Sequence, residues 1–192
     1  MIKIDKSSLT YTPLFCEENI WKLIESLKLN TEIAPLDVLF LINESNSIAL
    51  FNQKKSNNKQ PVIWDYHVVL SAIHNDQFII LDFDSKLEFP CDLSTYFNST
   101  FRLDIEIPAT YKTQLKPIDA NLFYNSFTSN REHMRGIITE SEFPEYSIIN
   151  SDATHSLLTL QECRKYDFSN DAFEILSPEV YLKKLLQAPI SQ

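Results

Sequence analysis

Four residues in this chain combine reactive side chains with an order along the sequence that could build a nucleophilic site. Cys16 stands where a helix is expected to begin, His67 lies inside a predicted strand, and Asp82 and Asp84 end the following strand. A thiol, an imidazole and a carboxylate held on regular elements can form a covalent acyl-enzyme, in which sulfur attacks a carbonyl carbon and imidazole moves the protons. The pattern predicts thiol-dependent acyl transfer, with one aspartate orienting His67.

The helix that would present Cys16 is predicted from Glu17 to Leu29. Its apolar residues recur at the spacing of one buried helix face: Ile20, Leu23, Ile24 and Leu27. Pro13 lies just upstream, and Glu17 and Glu18 supply the acids that a first turn favours. The helix dipole should stabilise the Cys16 thiolate, and nearby backbone N–H groups could hold an oxyanion. The glutamates oppose the first effect if their carboxylates approach the sulfur.

The predicted hairpin formed by Val62–Ile73 and Gln77–Asp84 would bring His67 close to both aspartates. Two turn geometries are possible. The first places His67 opposite Asp82, and the second, a four-residue loop, places it opposite Asp84. Because strand side chains alternate, the two acids share a face in either register. The spacing alone leaves both aspartates as candidates.

The remaining elements predict one α+β domain over residues 1–192, because a chain of this length supports a single well-buried core. They comprise a hairpin of Asp37–Asn43 and Ser47–Phe51, an exposed loop at Asn52–Gln60, a strand at Phe101–Ile107, a helix or strand at Leu122–Phe127 and a helix opened by Ser177-Pro178-Glu179 that runs to about Leu186.

Composition excludes several classes of function. The net charge of −9 opposes binding to nucleic acid. The only glycine is Gly136, so the glycine-rich loops that cradle phosphates are excluded, and no cofactor is expected. No apolar run approaches the ~18 residues that a membrane span needs, so we expect no membrane association and a cytoplasmic location.

The cysteines show neither metal-ligand spacing nor a disulfide framework, and no metal is expected. Cys91 and Cys163 are interpreted as buried structural thiols. This leaves Cys16 as the candidate nucleophile.

Two segments closely resemble signatures of the protein N-terminal glutamine amidohydrolase family, which is named after its WDYHV motif. They are Cys16-Glu17-Glu18-Asn19-Ile20-Trp21-Lys22-Leu23 and Trp64-Asp65-Tyr66-His67-Val68. The likeness continues at residues 78–85, 89–91 and 129–134, and is faint at 101–118 and after Gly136. It implies a catalytic triad of Cys16, His67 and Asp82, with Asp84 in a supporting role. The implied fold is the papain-like, transglutaminase-like α+β arrangement, with the thiol-bearing helix packed on a mainly antiparallel sheet.

The same resemblance implies hydrolysis of the side-chain amide of an N-terminal glutamine, giving glutamate and ammonia without a cofactor. Five residues beside the triad are candidates to contact the substrate: Glu17, Glu18, Trp64, Asp65 and Tyr66. The implied partners are peptides and proteins that begin with glutamine, and the enzyme is expected to be a monomer. In eukaryotes, where a nuclear fraction is also expected, the family's product feeds the N-degron pathway of protein turnover.

Two other functions fit the same residues. One is a deamidase of an internal glutamine, or a transglutaminase in which an amine resolves the thioester. The other is a catalytically silent module that binds chain N-termini. Ammonia release from peptides that differ only in the position of one glutamine separates these functions. Arg131 and His133 lie in a family-like segment, and sequence alone assigns them no role.

Overall fold

The computed structural model describes residues 4–29, 32–57, 60–151, 158–167 and 173–188. The helices are α1 (Cys16–Leu27), α2 (Leu93–Phe101), α3 (Ala120–Ser126), α4 (Leu160–Arg164) and α5 (Pro178–Gln187). The strands are β1 (Ile33–Ile42), β2 (Ile48–Leu50), β3 (Val62–Trp64), β4 (His67–His74), β5 (Gln77–Leu81), β6 (Cys91–Asp92), β7 (Gln114–Asp119), β8 (Phe127–Thr128) and β9 (Leu158–Thr159). The fold is α+β with a mainly antiparallel sheet, as the sequence predicts.

The main sheet has five antiparallel strands in the order β6-β5-β4-β1-β7, so that β4 lies at its centre. Strands β2 and β3 form a separate antiparallel pair, and β8 and β9 form a short parallel pair. The predicted hairpin of β4 and β5 is confirmed. His67, at the start of β4, is paired with Leu41 of β1, and from Leu70 onward β4 is also paired with β5.

The sheet is packed on both faces, because alternate side chains of its strands enter two separate cores. Phe40 and Leu70 pack with α1 and α3, whereas Leu39 and Val69 pack with α2 and α5. The predicted apolar face of α1 is fully used in the first core, since Ile20, Leu23, Ile24 and Leu27 are at most 4% exposed. Each such side chain contributes roughly 1.5–3 kcal/mol on burial. This packing fixes α1, and therefore Cys16, against the sheet.

The predicted hairpin of Asp37–Asn43 with Ser47–Phe51 is wrong, because β1 pairs with β4 and β7 and not with β2. The Asn43 side chain donates to the carbonyls of Ser47, Thr110 and Lys112 and turns the chain away from the sheet. Strand β2 pairs with β3 instead.

The predicted long strand Val62–Ile73 is interrupted at Asp65 and Tyr66, which separate β3 from β4. The predicted strand at Phe101–Ile107 is also wrong. Its first residue ends α2, and Arg102 caps that helix in the left-handed region at φ 49°. Helix α2 was missed in the sequence, although Asp92 caps it by accepting from the Thr95 N–H.

Two further predictions about the helices have clear outcomes. The ambiguous segment Leu122–Phe127 forms most of α3, capped by the Asp119 side chain. Helix α5 is confirmed, with Ser177 as its cap and Pro178 at its first position. Within the described ranges, no helix combines the length and apolar character needed to cross a membrane.

Candidate active site

Cys16 is the first residue of α1, so the predicted helix entry is confirmed. The approach to the helix is held by Asn19, whose side chain accepts from the Thr12 N–H and donates to the Thr12 carbonyl, both at 2.8 Å. Leu14 adopts a left-handed φ of 72° just before the helix. The next residue, Phe15, is completely buried and contacts Phe143. These contacts fix the position of the thiol without any side-chain cap.

His67 and Asp82 form a buried pair, with 2.9 Å between His67 Nε2 and Asp82 Oδ1. The hairpin register is the four-residue loop, since Leu70 faces Leu81. A continued ladder would place His67 opposite Asp84. Strand β5 ends at Leu81, however, and the following turn carries the Asp82 carboxylate back to His67. The resemblance thus named the aspartate that contacts His67, and the register alone would have named the other.

Both carboxylate oxygens of Asp82 are held by hydrogen bonds. Oδ2 accepts from Tyr96 Oη at 2.8 Å and from Gln53 Nε2 at 3.2 Å, and Oδ1 also accepts from the Asp84 N–H at 2.9 Å. Burial by itself would raise the pKa of Asp82, but His67 and these donors outweigh it and lower the pKa to about 2. Asp82 is therefore an anion at neutral pH.

Sequence reasoning missed both Gln53 and Tyr96. Gln53 lies in the segment Asn52–Gln60 that was predicted to be an exposed loop, yet it is completely buried and forms a bridge with Ser85. Tyr96 lies on α2, which no sequence pattern revealed. Nothing in the local sequence of either residue indicated a contact with Asp82.

The His67 ring is buried, with its second nitrogen free to react. Trp64 stacks on it with ring centroids 5.3 Å apart and 18° between the planes. His67 Nδ1 has no hydrogen-bond partner among the described residues. Burial lowers the pKa of His67, but Asp82 and the neighbouring acids prevail and raise it above its ordinary value. With Nε2 engaged by Asp82, Nδ1 is the atom available for proton transfer.

Cys16 and His67 line one cavity of about 270 Å³. The backbone N–H of Val68, the residue next to His67, acts to lower the pKa of the thiol, but burial and the nearby acids outweigh it. Small-molecule sites are typically ~300–1,000 Å³, so this cavity is suited to one amino-acid side chain and not to a large cofactor.

The prediction that the helix entry lowers the pKa of Cys16 is wrong for the resting protein. Burial, the Glu17 carboxylate and Asp84 raise the pKa of the thiol well above its ordinary value. Glu17 Oε2 lies 3.6 Å from the sulfur. The dipole of α1 is present, but a neighbouring anion opposes it. The resting thiol is therefore protonated, and it needs a base to become nucleophilic.

Glu18, a predicted substrate contact, instead forms buried contacts within the protein. Its carboxylate pairs with Arg131 through Nε at 2.9 Å and Nη2 at 2.8 Å, and it accepts from Ser129 Oγ at 2.6 Å. Arg131 also donates to the carbonyls of Pro144 and Tyr146. This network ties the first turn of α1 to the segment around residues 129–146.

Arg131→Met should therefore destabilise the fold strongly, because it leaves the fully buried Glu18 carboxylate without its cation. Removing one member of a buried pair typically costs about 3–5 kcal/mol, and urea denaturation would measure the loss in unfolding free energy. Arg102→Met is the matched control, since its pair with Asp104 is exposed and should leave stability almost unchanged. Equal effects of the two substitutions would contradict a structural role for the Glu18 pair.

The other predicted substrate contacts lie around the cavity. Trp64, Asp65 and Tyr66 line it, and Asp65 is exposed and pairs with Arg164 at 3.2 Å. Glu17 is completely buried behind Tyr66, which donates to its Oε2 at 3.0 Å. Burial raises the pKa of Glu17 to about 7.

Residues outside the predicted set also line the cavity: Leu14, His133, Met134, Ile137 and Arg164. His133 approaches Glu17 with 3.6 Å between Nε2 and Oε1, and burial and Arg164 lower its pKa, so its imidazole is neutral at pH 7. Asp84, expected in a supporting role, also faces the cavity. By contrast, Cys91 and Cys163 are buried and do not line the cavity, as predicted.

One cluster of three residues has possible metal-ligand atoms close enough together to surround a cation. His67, Asp82 and Asp84 offer atoms within 4.8 Å of one another. Both oxygens of Asp82 already accept hydrogen bonds from neutral donors and from His67. The arrangement is that of a hydrogen-bonded histidine–aspartate pair.

Comparison with known proteins agrees with the motifs. The model of the N-terminal glutamine amidase family matches residues 11–184. The chain is 39% identical over 129 residues to the protein N-terminal glutamine amidohydrolase of Danio rerio, covering 65% of this chain and 63% of the relative. It is 37% identical over 134 residues to the proteins of that name from Bos taurus and Homo sapiens, covering 68% of this chain and 64% and 65% of the relatives. The chain thus matches less than two thirds of the length of these relatives.

Proposed function

The chain belongs to the N-terminal glutamine amidase family, and from this we propose that it hydrolyses the side-chain amide of an N-terminal glutamine in peptides and proteins. The products are N-terminal glutamate and ammonia. One observation carries the proposal. Cys16 and His67 line the same small cavity. His67 Nε2 is held by Asp82, and Nδ1 has no hydrogen-bond partner among the described residues.

The proposed reaction begins with proton transfer from the Cys16 thiol to His67 Nδ1. The raised pKa of His67 favours its taking this proton, whereas the raised pKa of the thiol opposes its release, so we propose that the proton moves as the sulfur attacks. The sulfur then attacks the carboxamide carbon, and the backbone N–H groups at the start of α1 are candidates to stabilise the oxyanion. Collapse of the tetrahedral intermediate breaks the carbon–nitrogen bond.

His67 serves both halves of the proposed reaction. As imidazolium it protonates the departing ammonia, which leaves a thioester on Cys16. As neutral imidazole it then takes a proton from water, which attacks the thioester and releases glutamate. Asp82 fixes the tautomer with hydrogen on Nε2 and stabilises the imidazolium, as its low pKa permits. No cofactor is required.

A papain-like, transglutaminase-like arrangement is part of this proposal. It is supported by α1, which carries Cys16 at its start and packs on the sheet; strand β4 of that sheet carries His67, and Asp82 follows strand β5 directly. We also propose a single domain over residues 1–192 that acts as a monomer in the cytoplasm on glutamine-starting substrates.

Four peptides test the function, beginning with Gln, acetyl-Gln or Asn, or carrying glutamine at the third position. We expect rapid ammonia release from the first alone. Acetylation should lower kcat/KM by at least ~10²-fold, because polar acceptors built for an ammonium group would lose their partner. Asparagine should react poorly, because its shorter side chain does not bring the carbonyl carbon to the sulfur. Coupled ammonia detection and mass spectrometry of the peptide measure both products.

Comparable release from the acetylated or internal-glutamine peptide would replace this function with internal-glutamine deamidation. Incorporation of an added amine in place of water would indicate a transglutaminase. Peptide binding without ammonia from any substrate would indicate a silent N-terminus-binding module.

A further inference from the structure

Selection of an N-terminal over an internal glutamine requires an acceptor for the α-ammonium group. Resting on the function proposed above, we infer that Asp84 is that acceptor and therefore the specificity-determining residue of the site. This assigns Asp84 a direct contact with substrate, beyond the supporting role implied by its position after the triad aspartate.

One oxygen of the Asp84 carboxylate is held by a hydrogen bond, and the other can still accept one. Its residue is 8% exposed and lines the cavity together with Cys16 and His67. Tyr11 Oη donates to Oδ1 at 2.6 Å. The second oxygen, Oδ2, accepts no hydrogen bond from any residue in the described part of the chain. A buried carboxylate with one oxygen anchored and one open is suited to receive a charged donor from the cavity.

Asp84 lies close enough to His67 for one glutamine residue to reach both. A carboxylate oxygen of Asp84 lies within 4.8 Å of a ring nitrogen of His67. In glutamine the amino nitrogen and the carboxamide carbon are four bonds apart, roughly 5 Å when extended. A substrate whose ammonium group contacts Asp84 would therefore hold its carboxamide beside Cys16 and His67. An internal glutamine has an amide nitrogen at this position, which carries no charge.

The other acids near the site are less suited. Glu18 is satisfied by Arg131 and Ser129. Asp65 is exposed and paired with Arg164. Glu17 is completely buried behind the cavity wall.

Glu17 does not replace Asp84 as the acceptor, and Lys6 does not neutralise the Asp84 carboxylate. Glu17 titrates near neutral pH, since burial raises its pKa to about 7, so its charge is only partial there. Lys6 donates to the carbonyls of Asp82 and Phe83, and its ammonium group feels the charge of Asp84 without forming an ion pair with it in the described part of the chain. Asp84 is thus the cavity-lining acid without a paired cation among the described residues.

The test compares Asp84→Asn with the unmodified protein on two peptides, one with a free N-terminal glutamine and one with acetyl-glutamine. The ratio of their kcat/KM values isolates the contact with the ammonium group. Any effect of the substitution on the Cys16 thiol, on His67 or on the folded fraction acts on both peptides and cancels in the ratio. We expect the ratio to fall from at least ~10² to within a few-fold of 1, through loss of activity on the free peptide.

Three variants make the assignment specific. Asp65→Asn, on the exposed rim of the same cavity, should leave the ratio unchanged. Tyr11→Phe removes the donor to Oδ1 but keeps the carboxylate, and should reduce the ratio by less than Asp84→Asn does. An unchanged ratio in Asp84→Asn would overturn the inference, and a collapsed ratio in Glu17→Gln alone would transfer the role to Glu17.

Failure of the inference is distinguishable from failure of the proposed function. If the unmodified protein releases ammonia from the free peptide with strong preference, and Asp84→Asn retains that preference, only the assignment of Asp84 is wrong. If the unmodified protein shows no preference between the free and acetylated peptides, both the N-terminal selectivity and the ammonium acceptor are wrong.

Discussion

Cys16→Ala should abolish ammonia release from a peptide with N-terminal glutamine, lowering kcat by at least ~10⁴-fold while the protein remains folded. The effect is large because the thiol supplies the attacking atom, and neither His67 nor a cavity water can replace a covalent intermediate. The fold should persist because Cys16 is only partly buried and alanine is a favourable residue in a helix. Steady-state kinetics together with thermal unfolding measures both outcomes.

The matched control is Cys91→Ala, which removes a buried thiol outside the cavity. It should retain kcat per folded molecule. Iodoacetamide gives a second reading, because Cys16 is the accessible thiol and should be labelled before Cys91 and Cys163. Ammonia release by Cys16→Ala above a trace would remove Cys16 from the mechanism, and first labelling of either buried cysteine would contradict the accessibility argument.

Asp82→Asn should lower kcat by about 10⁴-fold, the size seen when the orienting carboxylate of a catalytic triad becomes an amide. The hydrogen bonds of the site explain why. Gln53 and Tyr96 both donate to Oδ2, so the oxygen of the new side-chain amide would take that position and turn its NH₂ group towards His67. The amide would then donate to Nε2 and leave hydrogen on Nδ1, where a lone pair is needed.

Asp84→Asn is the control, because it alters an acid two residues away and leaves the backbone N–H that donates to Asp82 intact. Its kcat at saturating peptide should remain within about 10-fold of the unmodified protein, with the loss in KM. A pH–rate profile adds a second reading, since loss of the Asp82 charge should lower the pKa of His67. A greater loss of kcat in Asp84→Asn than in Asp82→Asn would assign the orienting role to Asp84.

The parts of the site that local patterns determine were predictable. The apolar face of α1 and its acidic first turn marked the entry at Cys16, and alternation with a polar turn marked the β4–β5 hairpin. Both signals come from residues close in sequence. They could not choose between Asp82 and Asp84, because the choice depends on where β5 stops pairing and how the next turn closes.

The supporting residues were not predictable, since tertiary contacts decide them. Gln53 sits in a polar segment and is buried only because that segment pairs with Ser85 and places its side chain on Asp82. The strand partner of β1 was mispredicted for a similar reason, since Asn43 satisfies distant carbonyls and so ends the hairpin that the apolar runs suggested. The raised pKa of Cys16 was also not predictable, because it depends on the Glu17 side chain pointing towards the sulfur.

The stacking of Trp64 on His67 gives the site an optical reporter. A parallel ring at 5.3 Å attracts imidazolium more than neutral imidazole, so the contact strengthens whenever His67 carries the proton. A protonated imidazole also quenches indole emission at this range. The chain has one other tryptophan, Trp21, which stacks on Tyr124 outside the cavity and supplies a steady background. Fluorescence from Trp64 can therefore follow the charge of His67 through a single turnover.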